Sequence, residues 1–219
     1  MTKRQRYDIC NLFPIRCYTF DSSDNLLEST LKEAIKLDYE SRNKPYGVGT
    51  SDDIDNNPKF KNTLDWFQSC MDTIHADEGW HTDRLVVNKT WANRSLKNSG
   101  DHHGSHRHPM SFMSGIYYMS GVDIPTVFYD PVDKRCMASL HLDGPNDMER
   151  INISPIPGSL IVFPSYMLHW TMPNNSSDDR YTISFNTFPM GDINPTDYGG
   201  ISLQIDNPIG PLNLKEYKL

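Results

Sequence analysis

The sequence predicts a mainly β fold, a β-sandwich or jelly roll with two helices packed outside. Three observations lead there. Six short runs after Trp80 are rich in β-branched and aromatic residues, and Gly, Pro, Asn and Asp separate them. Two earlier stretches carry apolar residues at helical spacing instead. The chain has 219 residues, 37% hydrophobic and 22% charged, which suits one soluble domain with a real core. The expected division is a strand and helices over 1–80, a jelly-roll core over 81–189 and an irregular tail over 190–219.

Residues 9–20, ICNLFPIRCYTF, read as a first strand. Ser22 or Ser23 can then cap a helix that buries Leu27, Leu31 and Ile35. Residues 43–57, NKPYGVGTSDDIDNN, read as a polar connection. Its Asp52, Asp53 and Asp55 lack the spacing and closing Glu of an EF-hand, so they read as a solvated loop. A second helix is expected from Pro58 to about His75, with Phe60, Leu64, Phe67, Met71 and Ile74 on one face. The strands follow at 84–93, 111–120, 125–130, 149–155, 158–165 and 180–188. There is no internal repeat or low-complexity segment.

Composition narrows the function. A net charge of −7 offers no basic footprint for nucleic acid. No apolar run approaches membrane-spanning length, and MTKRQRYDICNLFP lacks the apolar centre of a signal peptide. The four cysteines (Cys10, Cys17, Cys70, Cys136) form no CxxC pair. A cytoplasmic setting is expected, without nucleic-acid or membrane partners; the oligomeric state is left open.

The chemistry concentrates in residues 100–120, GDHHGSHRHPMSFMSGIYYMS, which hold four of the eight histidines. His106 and His108 are two apart, so an extended chain turns both imidazoles to one face. Such a pair is half of a metal site, and His169, after the apolar run SLIVFPS, is the best-placed third ligand. Arg180 opens the next strand and shares a face with Thr182, so a guanidinium and a hydroxyl can grip one carboxylate. His75, His81 and His141 read as ordinary surface or core histidines, and His102 and His103 as loop neighbours of the pair. Together these residues point to a mononuclear iron oxygenase on a jelly-roll barrel.

Three segments extend the argument: HRHPMSFMSGIYYM (106–119), GSLIVFPSYMLH (158–169) and RYTISFN (180–186). They resemble the 2-oxoglutarate/Fe(II)-dependent oxygenases, in a subgroup with H-x-H-P, SG-x-YY, FPS-x-x-x-H and R-x-x-x-SFN blocks. Leu12 to Pro14 and the Trp91-Ala92-Asn93 triplet add to the likeness. The resemblance implies a double-stranded β-helix with Fe(II) held by His106, His108 and His169. It implies 2-oxoglutarate as cosubstrate, its far carboxylate on Arg180, and O2 as oxidant. The expected outcome is succinate, CO2 and a hydroxylated substrate. Tyr118, Ser114, Thr182 and Asn186 are candidates for the cosubstrate pocket, and Tyr117, Trp91 and Asn93 for the substrate.

His108 stands where most such oxygenases carry Asp or Glu. Three neutral imidazoles leave the ion its full charge, which favours anions and disfavours higher oxidation states. Asp101 or Asp130 could supply a carboxylate, or His108 could support a ligand from behind. Two other readings are open: a three-His cupin dioxygenase that needs no oxo acid, and a non-catalytic barrel that binds a metal or small ligand. The substrate, a peptidyl residue, an amino acid or a small metabolite, is set by loops such as 43–57 and 130–150.

Overall fold

Each strand alternates its side chains between two faces, and here both faces have something to bury. The structure is a computed structural model and describes residues 14–41, 46–131, 150–193 and 203–206. Its larger sheet is built from β1 (Tyr18–Asp21), β2 (Glu40–Ser41), β3 (Gly49–Ser51), β4 (Arg84–Ser95), β5 (Met113–Tyr118), β8 (Ser159–Pro164) and β10 (Arg180–Ile193). Their order is β1-β8-β5-β10-β4-β3-β2, and β11 (Leu203–Ile205) pairs with the end of β10. The smaller sheet has β7 (Arg150–Ile153), β6 (Thr126–Tyr129) and β9 (His169–Thr171), in the order β7-β6-β9. Among the described residues, every pairing between these strands is antiparallel. Two packed antiparallel sheets with helices on one outer face make the expected jelly roll.

On β8, Leu160 and Val162 join the core under the helices, while Ile161 and Phe163 join the core between the sheets. The strand is buried on both faces, so its sequence reads as a continuous apolar run. The outer core carries α1 (Asp24–Ala34) and α2 (Lys61–Glu78). Phe67, Met71 and Ile74 of α2 meet Tyr117, Ile183 and Phe185 of the sheet there. Ser23 caps α1 by accepting the Leu26 N–H at 3.3 Å. Gly79 ends α2 at φ +65°, and its N–H donates to the His75 carbonyl. Gly115 is required by contact: a Cβ there would lie 2.3 Å from the Phe185 ring.

Several expectations need correction. Residues 43–57 are not only a connection: Gly49–Ser51 form β3 against β4, with Val48 and Ile54 fully buried. The alternation of Val48, Thr50 and Ile54 with polar residues was masked by the Asp and Gly around them. Pro58–Phe60 form a 3-10 turn before α2, which runs to Glu78. Ile35 is 52% exposed, because it sits at the helix end, whereas Leu27 and Leu31 pack on the core. The tail is not irregular from 190 onward, since β10 continues to Ile193 and pairs with β11. The first strand starts at Tyr18; residues 9–13 of the expected one lie outside the described residues, as do Cys10, Cys136 and His141. Among the described residues, no helix is long and apolar enough to cross a membrane.

Candidate metal centre

The site lies between the two sheets. His106 and His169 exchange backbone hydrogen bonds, N–H to carbonyl at 2.9 and 3.1 Å, so the H-x-H segment is laid along β9. Two residues on, the His108 N–H donates to the Ser165 carbonyl at 3.1 Å. An extended backbone anchored at both histidines turns both rings the same way. One ligand nitrogen from each of His106, His108 and His169 lies within 4.8 Å of the others, the one such His/Cys/Asp/Glu cluster among the described residues.

Hydrogen bonding decides which nitrogens are free. Nδ1 of His106 faces the Gly104 carbonyl at 2.7 Å, and Nδ1 of His169 faces the Met167 carbonyl at 2.9 Å. A ring nitrogen facing a carbonyl carries the proton, so Nε2 of each presents a lone pair. Nε2 of His108 is 3.3 Å from Nε2 of His169. Either a proton or a cation can bridge that pair. Imidazole–metal bonds of about 2.1 Å place neighbouring nitrogens on one ion roughly 3.0–3.4 Å apart, so the spacing suits a shared ion. Burial pushes His108 down to about 3 and His169 to about 4, and the neighbouring imidazoles add repulsion. Near neutral pH these rings are uncharged, the form in which imidazole binds a metal. The donor set suits a borderline divalent ion such as Fe(II), Zn(II) or Ni(II), rather than Mg(II) or Ca(II).

The histidines open on a cavity of about 320 Å³. Arg180 reaches it from the start of β10 and is only 3% exposed. Burial lowers its pKa, yet guanidinium stays charged. Its Nε has no hydrogen-bond partner, and no carboxylate pairs with it among the described residues. Its guanidinium lies 5.7 Å from the Tyr118 ring centre, a weak cation–π contact. A buried, unpaired cation costs on the order of several kcal/mol, and an anion held on this wall would offset that cost.

The remaining expected residues divide. Thr182, Trp91 and Asn93 line the cavity, with the Trp91 ring centre 5.6 Å from that of His108. Tyr118 sits behind Arg180, its hydroxyl 2.7 Å from Thr126 Oγ1. Tyr117 does not reach the cavity. It faces the helices, packs on Trp66 and Phe67, and its hydroxyl meets Ser22. The reason is parity: β5 turns Ser114, Ile116 and Tyr118 inward, hence Tyr117 outward. Ser114 and Asn186 bond each other at 3.0 Å, and Ser114 also bonds Ser165, so they form a side-chain network away from the cavity lining. Asp101 is engaged by the Leu96 N–H at 3.0 Å, and neither it nor Asp130 lines the cavity.

Sequence reasoning missed Ser184, Ile116, Thr171, His103, Thr50 and Asp52 on the cavity wall. Parity with Arg180, Tyr118 and His169 would have found the first three. Thr50 arrives on β3 and Asp52 just after it, and no local signal announced that strand's pairing. A larger depression of about 400 Å³ lies beyond them, between Glu33, Lys36, Asp38 and Lys59. It holds mixed surface charge and none of the histidines.

Residues 89–186 match the family described as "Putative 2OG-Fe(II) oxygenase". That span contains the 106–119, 158–169 and 180–186 segments, so the family expected from the sequence is borne out, with its enzyme class and its Fe(II) and 2-oxoglutarate cofactors. A search of curated proteins gives no match. Solved structures share the fold. A prolyl-4-hydroxylase from Pseudomonas putida is 12% identical, at TM-score 0.58 over 81% of this chain and 94% of its own. The non-heme alpha ketoglutarate dependent epimerase SnoN, from nogalamycin biosynthesis, is 10% identical, at TM-score 0.63 over 90% and 91%. HygX from Streptomyces hygroscopicus, solved with nickel and 2-oxoglutarate, is 14% identical, at TM-score 0.56 over 88% and 93%.

Proposed function

We propose, from the premise that residues 89–186 carry the match to the 2OG-Fe(II) oxygenases, that this chain is a 2-oxoglutarate-dependent hydroxylase. One observation supports this most: three convergent imidazoles share a cavity with a buried guanidinium that has no carboxylate partner among the described residues. His106, His108 and His169 would hold Fe(II). With 2-oxoglutarate and O2, that centre would couple oxidative decarboxylation to succinate and CO2 with hydroxylation of a substrate C–H bond. Arg180 binds the far carboxylate of the oxo acid, and Thr182 on the same face adds a hydroxyl. Gly104 and Met167 hold two imidazoles in the tautomer that presents Nε2 to the ion. Trp91 and Asn93 form the side of the cavity next to His108 and orient the substrate. That substrate is a small molecule or a peptidyl residue.

Arg180 separates this reading from a dioxygenase that needs no oxo acid. Anaerobic addition of 2-oxoglutarate to the Fe(II)-loaded protein is expected to give a weak visible charge-transfer band. Arg180→Ala should lose that band at the same oxo-acid concentration and keep its iron. Iron-dependent oxygen consumption that ignores both 2-oxoglutarate and the Arg180 substitution would overturn the proposal.

A further inference from the structure

We infer that His103 is a second recognition residue for the oxo acid, donating an N–H to the far carboxylate that Arg180 holds. The inference rests on the proposed 2-oxoglutarate reading of this site and extends it to a residue of the histidine-rich loop. Backbone register carries the argument. His106 exchanges its N–H and carbonyl with His169 at the ligand cluster. His103 is tied in the same way to Thr171, two residues further along β9: its N–H donates to Thr171 Oγ1 at 2.8 Å, and its carbonyl accepts the Thr171 N–H at 3.2 Å. Thr171 and Arg180 line one cavity, so this tie holds His103 at the wall that carries the guanidinium.

His103 lines the same cavity as Arg180, Thr171 and Thr182. Its ring centre is 6.0 Å from that of His106, and none of its nitrogens joins the ligand cluster. Its ring makes no hydrogen bond with the described residues, while His106 and His169 each spend Nδ1 on a carbonyl. An imidazole with both nitrogens uncommitted, on the wall that holds an unpaired guanidinium, has the chemistry of a carboxylate donor. A neutral ring adds a directed hydrogen bond beside Arg180 without a second positive charge.

Binding measurements test this without turnover. The probes are Co(II) alone, then 2-oxoglutarate and pyruvate added to the Co(II)-loaded protein, with Kd read from the cobalt spectrum. His103→Phe is expected to keep Co(II) affinity, to weaken 2-oxoglutarate about tenfold or more and to leave pyruvate unchanged, because pyruvate has no far carboxylate. His103→Asn, which keeps an N–H donor, should regain much of the loss. Unchanged 2-oxoglutarate affinity in His103→Phe overturns the inference. So does a parallel loss of Co(II), or a pyruvate loss as large as that for 2-oxoglutarate. A wild-type protein that binds Co(II) but no oxo acid overturns the proposed function itself, and does so before any substitution is made.

Discussion

His108 is the residue whose chemistry most distinguishes this site. Its imidazole lies with those of His106 and His169, and as the proposed third ligand it stands where a carboxylate would cancel one unit of the ion's charge. Imidazole ligands favour borderline ions, and carboxylates extend the range toward harder ones such as Mn(II). His108→Asp should therefore keep a divalent-ion site and shift its preference. Competition between Mn(II) and Zn(II) is expected to move toward Mn(II) by about tenfold, and an unchanged ratio would mean that position 108 does not touch the ion. Arg180 is the second residue to test, because a buried cation with no carboxylate partner among the described residues is costly unless an anion joins it.

Among the elements, β4 and α2 depend on each other. Beyond its pairing with β3, β4 exposes an edge, and unpaired edges invite association. Gln68 of α2 covers it, donating to the Leu85 carbonyl at 2.9 Å and accepting the Val87 N–H at 3.0 Å. Asp55 takes the next exposed group, the Thr90 N–H, at 2.8 Å. Arg84 at the start of β4 makes a two-pronged ion pair with Asp72 of α2. Where α2 crosses β5, the Phe185 ring fills the space over Gly115. Gly115→Ala is expected to cost about 1–3 kcal/mol, the usual penalty for overpacking a dense core. Denaturant unfolding measures it, and Phe185→Leu in the same chain should return part of the loss. If Gly115→Ala is neutral, the close approach does not constrain the strand.

For the molecule as a whole, the histidine cluster couples stability to pH. Burial holds His103 and His108 near 3 and His169 near 4, against an ordinary value of 6.5. Below 6.5 the unfolded chain takes up protons that these folded rings refuse. Their contribution is therefore intact above about 6.5 and is lost as pH falls from there toward 3–4. Chelator-treated protein should lose midpoint denaturant concentration steadily between about pH 7 and pH 5, and His108→Asn should flatten that slope. A slope unaffected by His108→Asn would mean that the ring is solvated in solution. Added Zn(II) or Co(II) should raise the midpoint near neutral pH, because an ion that binds only the folded chain stabilises it.

Much of the site was legible before the fold was known. The two-residue spacing of His106 and His108 requires a common face in any extended chain, and the shared parity of Arg180 and Thr182 does the same on β10. The short β-branched and aromatic runs, separated by Gly, Pro, Asn and Asp, likewise pointed to a sandwich or jelly roll. Parity alone could not say which of Tyr117 and Tyr118 points inward. It makes neighbours oppose each other, and only the packing of α2 and the smaller sheet makes one face a core under helices and the other a barrel interior. Nor could it foresee that Ser114 and Asn186 would satisfy each other, or that β3 and the residue after it would bring Thr50 and Asp52 to the cavity. Those outcomes depend on strand pairings between residues far apart in the chain. Local sequence determines the period of a strand, but its partners and its inner face are chosen by the whole set of surfaces that must be buried together.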